Sequence, residues 1–124
     1  MGDFQLHVGD RTFEAIWTET NPTVRNSIKN ALPISGDAAR WGDELYVSTT
    51  VEVEPATTQT AVQPGTIAYW PAGPAICLFW GPTPASTDET PKAASPVAVV
   101  AKIPDTDPLA DLVGGAHMAL TAMT

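Results

Sequence analysis

A chain of 124 residues, 44% of them hydrophobic, is sized for a single domain with one buried core. Its net charge of −8, from 14 acids against 6 bases, repels phosphate backbones and argues against a nucleic-acid partner, the more so because Arg11, Arg25, Lys29, Arg40, Lys92 and Lys102 are scattered along the chain. No apolar run approaches the roughly 20 residues that cross a bilayer, so no membrane role is expected.

The acidic start, Met1-Gly2-Asp3-Phe4, does not read as a signal peptide, and one cysteine cannot form an internal disulfide. Both point to the cytoplasm. Few lysines beside many acids would also suit solvation in high salt.

In chain order, "FQLHV" alternates Phe4, Leu6 and Val8 against Gln5 and His7, the pattern of a half-buried strand. Gly9-Asp10 makes a two-residue turn into "RTFEAIW", so the chain opens on a β-hairpin. "TNPTVRNSIKNALP" reads as a helix with Asn21 as its cap and Pro22 in the first turn. Val24, Ile28, Ala31 and Leu32 form its apolar stripe, and Pro33 ends it. At about ten residues such a helix persists only by packing on a sheet.

"ELYVSTTVEVE" is a strand with Leu45, Val47, Thr49, Val51 and Val53 on one side and a polar, water-facing side opposite. Residues 55–65 form a polar loop closed by Pro64-Gly65. "TIAYW", "PAGP" and "AICLFW" then make a second hairpin. Ala75, Cys77 and Phe79 share one of its faces, and Ile76, Leu78 and Trp80 the other. Both faces are apolar, so both must be covered; one covering is the interior, the other a helix, a loop, a ligand or a second copy of the chain. A polar, Pro-rich loop spans residues 81–96, and "VAVVAKI" reads as a strand buried on both sides. Asp107-Pro108 starts a short helix, "LADLV", ended by Gly114-Gly115, and "AHMALTAM" closes the chain as a strand. The expected class is mainly β, with a barrel preferred because closure removes apolar strand edges.

Three stretches, "ALPISGDAARWGDELY" (31–46), "PGTIAYWPAGPAICLFWGPTP" (64–84) and "AASPVAVVAKI" (93–103), resemble the cyclophilin-like family of small archaeal and bacterial proteins of unassigned function. The resemblance implies a closed eight-stranded β-barrel with one main α-helix, a short C-terminal helix and a crevice on the outer wall. True cyclophilins isomerise X–Pro bonds, a rotation with a barrier of about 18–20 kcal/mol, using an aromatic pocket and a guanidinium donor. Here Arg40 matches that donor, while the Phe-His-Arg and Gln-Gly-Gly-Asp-Phe signatures are absent: Ala38-Ala39 precede Arg40 and Trp41-Gly42-Asp43 follow it.

The candidate ligand-binding residues are therefore Arg40, Trp41, Tyr69, Trp70, Phe79 and Trp80. Arg40 either faces a ligand, with a planar fork suited to carboxylates and carbonyls, or pairs with Asp43 or Glu44 to pin a strand; it is catalytic only if the chain is an isomerase. Trp41 is either a plug or a site wall. A buried Tyr69 needs a hydrogen-bond partner and so equally marks a structural bond. Asp37, Asp43 and Glu44 read as a solvated turn, and Cys77 as a small buried apolar side chain. His7 and His117 lack neighbours at ligand spacing, so neither metal nor cofactor is expected. The function expected is binding of a small molecule or a proline-containing peptide, with divergent prolyl isomerisation as the alternative.

Overall fold

The alternation of "FQLHV" and the Gly9 turn, at φ 61°, produce the opening hairpin: β1 (Phe4–Val8) pairs antiparallel with β2 (Arg11–Trp17). A computed structural model describes residues 2–112 and 114–122 of the chain. After β2 come α1 (Pro22–Ala31), β3 (Ile34–Asp37), β4 (Ala39–Arg40), β5 (Glu44–Ser48), β6 (Gln59–Ala61), β7 (Thr66–Trp70) and β8 (Ala75–Phe79). The long strand β9 (Lys92–Lys102), a 3-10 turn (Asp107–Asp111) and β10 (His117–Ala122) complete the order. Val113, within the short helix read as "LADLV", lies outside the described residues.

The ladders are antiparallel and run β3-β10-β1-β2-β9-β7-β8-β5-β4, with β6 added on β9. Among the described residues ten strands stand where the resemblance implied eight. The short β3, β4 and β6 fall in stretches that read as turns and loops, because two to four residues are too few for an alternation to show. The two ends of the path, β3 and β4, are separated in sequence by Ala38 alone, so the sheet curls back toward its own start. Gly36 of β3 lies against Val47 of β5, where any side chain would collide with the valine.

The inner face holds the main core: Phe4, Leu6, Ile28, Leu45, Ile67, Ile76, Leu78, Met118 and Leu120 are all fully buried. Burial of each large apolar side chain contributes roughly 1.5–3 kcal/mol. α1 supplies Val24 and Ile28 to this core; Leu32 packs at its margin, and Ala31 is exposed rather than part of the stripe. Asn21 does not cap the helix with its side chain. Its Nδ2 donates to Val99 O (3.2 Å) and its Oδ1 accepts from Thr57 N (3.1 Å), tying the helix start to β9 and to the loop before β6. Among the described residues, no helix is long and apolar enough to cross a membrane.

Tyr69 points into the main core, where its hydroxyl donates to Val51 O at 2.8 Å. Removing that hydroxyl leaves a buried carbonyl short of a donor, which costs about 1–2 kcal/mol. Tyr69→Phe is expected to lower unfolding free energy in urea by that amount while leaving the outer-face amide resonances of β5 and β8 in place.

Candidate functional site

The site grows from the outer face of β8. Strand pairing sets its residues in rows: Glu44–Phe79–Thr66, then Tyr46–Cys77–Ala68, then Ser48–Ala75–Trp70, taken across β5, β8 and β7. Directly opposed residues share a face, so the small Ala68, Cys77 and Ala75 sit in the middle, with Tyr46 and Trp70 standing diagonally on either side. A depression results.

β9 roofs part of it. Its second half pairs with β7, from Tyr69↔Ala98 to Thr66↔Lys102, whereas its first half pairs with β6 through Gln59↔Val97 and Ala61↔Lys92. Ala93 and Val97 of that first half, with Val62, pack on Ala68, Cys77 and Phe79 as a second, smaller core. Thr83 Oγ1 donates to Lys92 O and fixes where β9 begins. Trp70 Nε1 donates to Ser95 Oγ, joining one wall of the depression to the roof.

The cover is incomplete where it consists of alanines. A hollow of about 220 Å³ remains, lined by Trp41, Glu44, Tyr46, Trp70, Cys77, Ala93, Ala94 and Val97. The rings of Tyr46 and Trp70 meet edge to face, 6.4 Å between centroids. Trp41 is held over it by a tight turn: Gly42 has φ 62°, and a Cβ there would come within 3 Å of Thr83 Cα and Pro82 O. A larger side chain at Gly42 would therefore displace Trp41. A wider depression of about 710 Å³ lies between β2 and the 3-10 turn, but its Arg11 is already tied to Pro108 O (2.8 Å) and Asp111.

Glu44 is the chemically distinctive group. It is only 6% exposed, and burial pushes its carboxyl up to about 7, against a smaller opposing pull from a hydrogen bond with Cys77. Among the described residues it has no ion-pair partner, and no basic side chain lines the hollow. The thiol of Cys77 is raised well above its ordinary value, by burial first and by Glu44 second. A thiol so disposed carries little thiolate at neutral pH and is a poor nucleophile.

The sequence-derived candidates divide three ways. Trp41 and Trp70 line the hollow. Tyr69 is in the main core, and Phe79, fully buried, fills the second one. Arg40 and Trp80 stand together apart from the hollow, the guanidinium carbon 5.5 Å from the indole centroid. Every nitrogen of that guanidinium is engaged: Nε donates to Gly42 O (2.7 Å), Nη1 to Leu112 O (2.6 Å) and Nη2 to Asp43 Oδ1 (3.0 Å). Glu44 is buried rather than part of a solvated turn, Cys77 is buried as its apolar surroundings suggest, and neither they nor Tyr46 stand among the sequence-derived site residues. Alternation along "ELYVS" carries the signal for Glu44 and Tyr46, since it puts both on the face opposite Leu45 and Val47. His7 binds the hydroxyls of Thr12 and Thr121, and no group of three or more metal-ligating side chains occurs among the described residues.

This chain belongs to the cyclophilin-like family, whose model matches residues 3–119. It is similar in structure to the hypothetical protein AF2241 from Archaeoglobus fulgidus, whose solution structure shares 33% sequence identity. That match has a TM-score of 0.80 and covers 99% of this chain and 98% of that one. No curated protein matches the chain.

Burial of Glu44 makes stability pH-dependent in a direction opposite to that of a salt-bridged acid. Below about pH 4.5 the carboxyl is protonated in both folded and unfolded chains; above it the unfolded chain ionises first, so stability falls until about pH 7 and then levels. The loss amounts to about 3 kcal/mol. Glu44→Gln removes this term. The difference in unfolding free energy between variant and parent, measured in urea at intervals from pH 4.5 to 8, is expected to move in favour of the variant by that amount; a flat difference would show a hydrated carboxyl.

Proposed function

We propose that the chain is a binding module that takes a small organic molecule into the hollow on the outer face of β5, β8 and β7. The supporting observation is the combination of aromatic walls, a floor of small side chains and one buried carboxyl with no ion-pair partner among the described residues. Apolar pockets with a few placed polar groups are the usual form of ligand sites, although most are larger, about 300–1,000 Å³. The size favours a compact molecule, or a single proline ring, over an extended peptide. The curled sheet, read as a closed barrel, would supply the rigid wall on which such a preformed hollow depends.

Prolyl isomerisation has less support. That reaction uses a guanidinium beside the ring pocket, and Arg40 lies outside the hollow with its nitrogens occupied. The protein is expected to give no acceleration of X–Pro exchange in a model peptide above background.

Ala94 is exposed at the edge of the hollow, so enlarging it plugs the mouth without disturbing the core. Titration with a panel of small aromatic and amine fragments, followed by amide chemical shifts, is expected to move resonances of Trp41, Glu44, Tyr46, Cys77 and Val97 together. Ala94→Trp should abolish those movements. Shifts that survive the plug, or that cluster elsewhere, would remove the hollow as the site.

A further inference from the structure

We propose that the molecule bound in this hollow carries an alkylated ammonium group, seated between the rings of Trp41, Tyr46 and Trp70 and facing the Glu44 carboxylate. The inference rests on the binding reading above and narrows it to one chemical class.

Three observations on the hollow converge. Its walls are three electron-rich aromatic side chains supplied by separate elements: Trp41 from the turn before β5, Tyr46 from β5 and Trp70 from the end of β7. Faces of Trp and Tyr rings attract a cation within about 6 Å of the centroid, and quaternary ammonium groups are the ligands for which such aromatic enclosures are best suited. Tyr46 and Trp70 are set edge to face, at 73° between ring planes, which gives two non-parallel walls rather than a slot for one flat ring.

The second observation is the sign of the charge. Among the described residues Glu44 is the single acid lining the hollow, the other titratable groups there are Tyr46 and Cys77, and no basic side chain lines it. A buried carboxylate with a thiol hydrogen bond but no opposite charge beside it is unfavourable, and a bound cation supplies the missing charge. An anionic ligand would meet that carboxyl with nothing to offset it.

The third is shape. Cys77 in the floor and Ala93 and Ala94 in the roof offer short apolar side chains, so methyl groups rather than N–H donors are what this part of the hollow accommodates. A primary ammonium presents three N–H donors, and apart from Glu44 and the Tyr46 hydroxyl the lining side chains carry no oxygen acceptor. An alkylated ammonium needs fewer acceptors.

The probes are choline and its uncharged isostere 3,3-dimethylbutan-1-ol, titrated into the full chain at pH 7.5 and followed by amide chemical shifts. Choline is expected to saturate shifts at Trp41, Glu44, Tyr46, Trp70 and Cys77, with the alcohol binding at least about tenfold more weakly. Glu44→Gln should erase that preference while keeping the alcohol's weak binding. Trp41→Ala, at a half-exposed position outside both cores, should weaken choline binding about tenfold and serves if Glu44→Gln fails to fold. Equal or tighter binding of the alcohol by the parent chain would overturn the cation proposal and leave the hollow as a binding site. Absence of shifts with both probes, or shifts confined to other surfaces, would overturn the cation proposal; absence of hollow shifts with the fragment panel as well would overturn the site.

Discussion

A β-strand that is apolar on both faces must be covered twice, and the arrangement of this protein follows from how β8 meets that requirement. Ile76 and Leu78 are covered by the main core. Ala75, Cys77 and Phe79 face away from it, and water on that side would cost each buried methylene about 0.8 kcal/mol. β9 is eleven residues long because it serves both sides: its end belongs to the sheet wall, and its beginning leaves β7, pairs with β6 and lies over the outer face. Val97 packs on the outer face and borders the hollow. Where β9 brings Ala93 and Ala94 over Cys77, the side chains are too short to fill the space, and the hollow is what remains.

The same geometry accounts for the electrostatics. Glu44 follows a turn held by Arg40 and Gly42, and its place opposite Phe79 in the ladder brings it onto the covered face. A carboxyl in water keeps its ordinary value; this one is moved because apolar neighbours replace its hydration. A carboxyl perturbed by burial in a cleft marks a candidate functional site. Arg40 illustrates the opposite case. It has the chemistry of a recognition residue but spends its donors on Gly42, Asp43 and Leu112, binding the turn to the chain segment before β10. The rigidity of Trp41's position depends on that arrangement.

Much of the architecture is legible in local pattern. The division of β8 into a 76/78 face and a 75/77/79 face follows from parity and is observed, as is the alternation of Met118 and Leu120 in β10. The helix bounds follow from Pro22 and Pro33. What sequence does not carry is the non-local cover. Glu44 looks solvated beside Asp43 because nothing within "WGDELY" reveals that β9 and Val62, far along the chain, shelter its face. The acceptor for Arg40 at Leu112 lies 72 residues away and is equally invisible. Tyr69 and Phe79 are aromatic for packing; composition alone does not separate them from Trp41 and Trp70, whose ends reach the hollow.

The central claim is that the outer face of β8 bears a preformed hollow with a buried carboxyl in its lining. The most direct measurement is the side-chain carboxyl carbon shift of Glu44, followed by NMR from pH 3 to 9 in the isotopically labelled protein. The account predicts a midpoint near 7, set by burial. A midpoint in the ordinary glutamate range, about 4.3, would mean that water reaches the group freely and that the hollow does not shelter it.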